Sequence, residues 1–264
     1  MTGDPDAVAG SEHDLGPGAA TTLAGVDLTD DAALVAEQER VGSLRPPPWH
    51  PPDRPLVVAG CFVAFARGEQ GPGRTGDHGW GGAAVVDEDG SPLATAAVPG
   101  RAPAPYRPGL LAAREGPMLL AALRAVLDRA PVPVDVVLVD ATGLDHPRRA
   151  GLARHLGAVL DLPTVGVTHR GLTDRGAPPA LGARGDRVDV VHDGEPSAAW
   201  VCTATDARPV LAHAAWRTDV DTAVAVVLRT CHPGATTLPG GTAGRTPEPL
   251  RQARRVARTA RSDA

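Results

Sequence analysis

Six residues in the middle of the chain, Val134 to Val139, are apolar apart from Asp135, and the run closes on Asp140. The stretch is too short for a buried helix and too continuous for a strand with one wet face, so it reads as a strand buried on both sides. Such a strand needs a covering layer on each face, and the neighbouring segments supply them. Upstream, Leu56 to Phe65, Trp80 to Val86 and Pro92 to Val98 read as three strands, the last two joined by Asp87-Glu88-Asp89-Gly90 as a hairpin turn. A helix is expected from about Pro117 to Asp128, a second at about Arg148 to Leu156, and a short strand at Thr164 to Thr168. Further strands are expected at Ala198 to Thr203 and Val210 to Ala215, with helices at Asp219 to Thr230 and about Pro247 to Arg261. This order predicts an α/β fold: a mixed sheet, an antiparallel meander plus parallel strands, covered by helices.

The N-terminal end reads differently. Residues 1 to 28 mix Gly, Pro, Ala and acids with little apolar periodicity and are expected to form a disordered acidic tail outside the fold. Residues 29 to 264 are then one domain. It opens with Thr29 as helix cap, Asp30 and Asp31 in the first turn, and an apolar face through Leu34, Val35, Gln38 and Val41. Arg45-Pro46-Pro47-Pro48-Trp49-His50-Pro51-Pro52 ends that helix as a stiff spacer.

Composition narrows the chemistry. The chain has no lysine, so all 26 basic side chains are arginine, and it also lacks Ile and Asn. Schiff-base, P-loop and kinase-type lysine chemistry are therefore excluded. The net charge of −5 is uneven, because nine acids and no base precede Arg40, leaving the remainder mildly basic. That permits a polyanionic substrate without requiring one. The three cysteines have no CxxC spacing and no paired framework, which argues against structural zinc and fits a reducing compartment. No apolar run approaches the ~20 residues of a membrane span, and the N-terminus lacks the pattern of a signal peptide. The expectation is a cytoplasmic protein, monomeric and without a membrane partner.

Asp140 at the end of a buried strand and Glu115, within Arg114-Glu115-Gly116-Pro117 at the expected start of a helix, are two hard oxygen ligands converging on one sheet edge. Such a pair suits Mg²⁺ or Mn²⁺, ions that keep several waters and bind phosphate oxygens. Phosphodiester chemistry is the natural inference.

The block from Tyr106 to Leu172 resembles endonuclease V, the metal-dependent nuclease family that nicks nucleic acid containing deoxyinosine. Pro105-Tyr106-Arg107-Pro108-Gly109 resembles the family's wedge loop and Arg114-Glu115-Gly116-Pro117 its glutamate motif. Val139-Asp140 with His146-Pro147-Arg148-Arg149 resembles its aspartate and histidine motif, and Asp161 to Val167 its next strand. Weaker matches lie at Val58-Ala59-Gly60, at Arg217 to Ala223 and at Arg245 to Arg251. The resemblance implies a ribonuclease H-like fold with Mg²⁺ (or Mn²⁺) held by Asp140 and Glu115. It also implies that His146 is a third catalytic group, orienting or donating to a phosphate or water. Tyr106, between Pro105 and Pro108 and followed by Gly109, would wedge into the duplex while the deaminated base turns out into a pocket. Arg148 and His169 would join the nucleic-acid contacts. The implied partner is DNA with a deaminated base, or RNA with inosine, and the implied role is DNA repair.

The chain departs from that family at the same site. Phe62 stands where the family's first strand carries a metal-binding aspartate, two residues after the glycine, and no acid occurs between Pro55 and Arg67. Glu69 and Asp77 are the nearest acids downstream. Ala141 and Thr142 replace the glycine and histidine after the central aspartate, and His169 replaces the usual lysine. A phenyl ring brings no charge to a divalent ion, so losing one of three acidic ligands weakens metal binding by orders of magnitude. Two functions are consistent with this pattern: a metal-dependent endonuclease V-like enzyme, and a non-catalytic relative that binds nucleic acid.

Overall fold

The buried run becomes a strand at the centre of an eight-stranded sheet. In chain order the elements are β1 (Thr22–Leu23), β2 (Val26–Asp27), α1 (Asp31–Ser43), β3 (Val58–Phe65), β4 (His78–Val86), β5 (Pro92–Arg101), α2 (Leu111–Leu127), β6 (Val136–Val139), α3 (Leu152–Leu160), β7 (Thr164–Thr168), β8 (Arg187–His192), β9 (Glu195–Val201), β10 (Val210–Ala214), α4 (Val220–Arg229) and α5 (Glu248–Ser262). The computed structural model describes residues 22–23, 25–68, 73–172, 178–232 and 244–264. The sheet order is β5-β4-β3-β6-β7-β10-β9-β8. Strands β3, β6 and β7 run parallel, flanked by an antiparallel meander on one side and antiparallel strands on the other. This is the mixed sheet that the sequence predicts.

Strand alternation assigns each face. On β3, Ala59, Cys61 and Val63 join a core with Ala112, Met118, Leu119 and Leu123 of α2 and with Leu152 and Leu156 of α3. Val58 turns to the opposite face and packs in a second core with Leu250 of α5 and Val220, Val224 and Val227 of α4. Helix α5 lies directly on β3. A Cβ added at Gly60 would stand 2.4 Å from the Pro249 carbonyl, so only glycine allows the helix so close.

Several boundaries differ from expectation. Helix α2 begins at Leu111, so Glu115 sits inside it rather than before it, and Pro117 lies within the helix. Helix α3 begins at Leu152, with Arg148 and Arg149 left in the preceding turn, where Arg149 has φ 52°. The cap of α1 is Asp30, whose side chain accepts from the Ala32 and Ala33 N–H groups; Thr29 instead bonds back to Asp27. The exposed edge strand β8 was not expected. The ordered fold also starts earlier than residue 29: β1 and β2 pair as a hairpin, and Leu23 and Leu28 are fully buried in the α2-side core. Burying these two leucines ties the segment down, which corrects the boundary of the acidic tail. Residues 1–21 of that tail lie outside the described residues, as does Glu69.

Candidate functional site

The parallel register pairs Gly60 with Leu138 and Cys61 with Val139. One residue further along, Phe62 and Asp140 stand side by side, and by alternation both turn toward α5. There the buried stripe Leu250, Ala253 and Ala257 seats the helix on the sheet, and Arg254, next to Ala253, reaches the strand ends. Its Nη2 donates to Asp140 Oδ2 at 2.8 Å, and its guanidinium carbon lies 5.3 Å from the centre of the Phe62 ring. Arg258, one turn on, lies 5.9 Å from the same ring.

Glu115 approaches from the α2 side of the sheet. As a residue it is half-buried, but its carboxyl is packed among protein atoms. Burial first, and the negative charge of Asp140 second, push it up to about 7, with Arg114 pulling the other way. Cys61 lies in the same environment, its thiol pushed well above the ordinary range by burial and by the two carboxylates. The expected pair, Asp140 and Glu115, is therefore brought together. His169 lies within electrostatic reach of Asp140: burial lowers its pKa first, followed by Arg245 and Arg254, while Asp140 acts in the opposite direction.

These residues do not fit a divalent cation. Asp140 is already ion-paired with Arg254, and Phe62 presents hydrocarbon where a third carboxylate would stand. Among the described residues, no group of three or more His, Cys, Asp or Glu is arranged to hold a metal. Asp77 does not supply the missing acid. It is buried against Arg114, whose Nη2 donates to its Oδ2 at 2.7 Å, and it accepts from the Arg74 N–H.

The loop carrying Tyr106 is built in a different way. Tyr106 is 42% exposed and Pro108 is exposed, while Pro105 and Arg107 are half-buried. Gly109 takes φ 77°, which favours glycine, and its carbonyl accepts from three side chains. Gln38 Nε2 donates at 3.0 Å, His146 Nε2 at 3.0 Å and Arg148 Nη2 at 3.2 Å. Arg148 Nε also donates to Gln38 Oε1 at 2.7 Å, closing the cluster. His146 Nδ1 accepts from the Arg148 N–H at 3.2 Å, so with its proton on Nε2 both ring nitrogens are engaged. Burial lowers its pKa to about 4, which keeps it neutral. His146 and Arg148 thus meet the wedge-like loop, and neither ring nitrogen of His146 is directed at Asp140.

Sequence reading missed Gln38 and Arg254. Gln38 looks like one more residue on an amphipathic face, and only its near-complete burial marks it. Arg254 is one of six arginines between Arg245 and Arg261, and only its position beside the buried stripe distinguishes it. A second buried polar cluster joins Thr168, His213 and Asp145: His213 Nε2 lies 2.9 Å from Thr168 Oγ1, and its Nδ1 lies 3.8 Å from Asp145.

The model of the endonuclease V family matches residues 50–255. Endonuclease V of Methanopyrus kandleri is 38% identical over 201 residues, 75% of this chain and 75% of that protein. The crystal structure of endonuclease V from Streptomyces avermitilis gives a TM-score of 0.69 at 30% identity, covering 89% of this chain and 94% of that chain. Ciona intestinalis endonuclease V, solved with a 23mer DNA containing an inosine followed by a ribo-adenosine, gives 0.69 at 18% identity. That last match covers 88% of this chain and 97% of the other and is a likeness of fold.

Proposed function

Because the chain belongs to the endonuclease V family of nucleases, we propose that it recognises nucleic acid at a deaminated base, deoxyinosine in DNA or inosine in RNA, and binds there without metal-dependent cleavage. The observation that carries this reading is the contrast between a firmly built wedge-like loop and a strand-end site where an arginine pairs the aspartate and a phenyl ring stands beside it. Tyr106 is exposed on a loop stiffened by prolines and clamped at the Gly109 carbonyl, as a side chain that enters a base stack must be. At the strand ends, Arg254 pairs with Asp140 and Phe62 fills the neighbouring place.

In this reading Tyr106 enters the duplex, and Pro105, Pro108 and Gly109 fix its direction. Gln38, His146 and Arg148 act through Gly109 as positioning residues. His169 and the arginines near it face the strand.

A second reading, a nuclease acting on Mg²⁺ or Mn²⁺ in DNA repair, is favoured by one observation: Asp140 and Glu115 are still neighbours, and Asp140 raises the Glu115 pKa. The two readings separate in one assay. The purified chain is mixed with labelled duplexes that differ in a single deoxyinosine or deoxyadenosine, with Mg²⁺, Mn²⁺ or a chelator. The proposal expects about tenfold tighter binding to the deoxyinosine duplex, the discrimination that one well-made set of base contacts provides, and no nick even at protein excess. Metal-dependent nicking would establish the second reading. Equal binding of both duplexes without nicking would overturn recognition of the deaminated base.

A further inference from the structure

We propose that the ends of β3 and β6 form an anion site, in which Arg254 with Arg258 takes a backbone phosphate of the bound strand directly, in the place where this fold would otherwise hold a metal cation. The inference rests on the nucleic-acid-binding reading above and adds what the strand-end site does.

The guanidinium of Arg254 is under-used where it stands. One N–H bonds Asp140 at 2.8 Å, while its Nε is shut away from solvent with no hydrogen-bond partner among the described residues. A guanidinium has five N–H donors in a planar fork, which matches two oxygens of a phosphate. Asp140 holds one corner of the fork and fixes its plane, and the Phe62 ring supports it from the side. Arg258 is exposed on the next turn, so a second guanidinium stands beside the same ring.

The surrounding charge has the matching sign. His169 has Arg245, Arg254 and Arg208 close enough to disfavour its protonation, so three arginines converge on this corner of the sheet. Against them stand Asp140, already paired with Arg254 at 2.8 Å, and Glu115, which comes from α2 on the other side of the sheet. The resulting field repels a divalent cation and attracts a phosphodiester. An arginine carried on the chain itself replaces the metal as the cation that meets the strand. Binding should then need no metal.

The test measures the wild-type chain by fluorescence anisotropy against a deoxyinosine duplex and its deoxyadenosine counterpart, with a chelator and with Mg²⁺ at matched ionic strength. The dissociation constant should agree within about twofold between chelator and Mg²⁺. Arg254→Gln should weaken binding of both duplexes about tenfold and lower the slope of log affinity against log salt by about one, the signature of a lost phosphate contact. Arg258→Gln should act in the same direction and serves as the probe if Arg254→Gln fails to fold. Arg255→Gln, on the exposed outer face of the same helix, should change affinity by no more than about the twofold allowed for the wild type, beyond the direct phosphate contacts that set the salt slope.

An unchanged salt slope in both Arg254→Gln and Arg258→Gln would overturn the anion site, as would a wild-type affinity that collapses with chelator. If both duplexes bind alike yet Arg254→Gln weakens them, the anion site stands and recognition of the deaminated base falls. The converse experiment replaces both groups at once. Phe62→Asp with Arg254→Gln sets a third carboxylate beside Asp140 and Glu115, and should create a Mn²⁺ site, seen by calorimetry or electron paramagnetic resonance, that the wild-type chain lacks. Stoichiometric Mn²⁺ binding by the wild type at this place would also overturn the proposal.

Discussion

The wedge-like loop joins β5 to α2, the strand-end site lies at the ends of β3 and β6, and the two are stabilised by opposite means. The loop is fixed mainly by buried contacts: two uncharged side chains and the half-buried guanidinium of Arg148 on one carbonyl, and the buried Arg114–Asp77 pair at its base, where Arg114 also donates to the Ala104 and Arg74 carbonyls. The strand-end site rests on a partly exposed ion pair, an aromatic ring and an acid whose pKa burial raises to about 7. Burial makes the first region expensive to disturb, whereas water reaches the second. The difference shows which region the chain maintains as scaffold and which one a pair of substitutions can redirect.

Breaking the scaffold should have the largest effect. Arg114→Ala leaves Asp77 without its guanidinium in a site where both side chains are under one-tenth exposed, and takes a cation from over the Phe65 ring at 4.0 Å. Removing one member of a buried pair costs about 3–5 kcal/mol. Urea denaturation should show a loss of that size, and a loss near 1 kcal/mol would move this pair into the same class as the strand-end site. His146→Ala should come next. It removes one of three donors from the Gly109 carbonyl and leaves a small void, at about 1–2 kcal/mol in the same measurement. Because the loop loosens, affinity for the deoxyinosine duplex should fall further than affinity for the deoxyadenosine one.

Arg254→Gln should cost the fold least. Its side chain and that of Asp140 are each about a quarter exposed, 22% and 25%, so water takes over much of the lost pairing and the change should stay within about 1 kcal/mol. The contrast is sharp because the same substitution is expected to have a tenfold effect on binding. A destabilisation comparable to that of Arg114→Ala would erase the distinction between the regions and make Arg254 a structural anchor.

What could be read from the sequence follows the same division. Strand β7 lies at Thr164–Thr168 as expected, because a continuous apolar run with sharp polar ends leaves little choice of boundary. The start of α2 was obscured by the Pro- and Gly-rich loop before it and by Pro117, a residue that a helix accommodates here at the loss of one backbone bond. Strand β8 alternates valines with charged residues in a short stretch of six, and as an exposed edge it buries only Val190. At the site, Phe62 was legible because a single position in a known motif had changed. Its partner was not: Arg254 meets Asp140 across 114 residues, and Gln38 meets Gly109 across 71. Contacts that close only in the fold leave no local pattern, and an arginine-rich helix conceals the arginine that reaches Asp140.

The two regions also oppose each other in their dependence on pH. Burial holds His146 at about 4, below its ordinary 6.5, so between those values the unfolded chain takes up a proton that the folded chain refuses. The stabilisation from its neutral form is complete above 6.5 and is lost as the pH falls toward 4. Glu115 is displaced the other way, to about 7 from an ordinary 4.5, so its contribution is complete below 4.5 and is lost as the pH rises toward 7. Between pH 4.5 and 6.5 the two slopes subtract. Urea midpoints across this range should therefore climb more steeply with pH in Glu115→Gln than in the wild type, and less steeply in His146→Gln. His155 and His213, also held at about 4, are unchanged in both variants and add equally to each curve. If Glu115→Gln follows the wild-type curve, Glu115 ionises in the folded chain as readily as in the unfolded one. The strand ends then carry a full second negative charge, and the balance that favours a phosphate over a cation shifts back toward the metal.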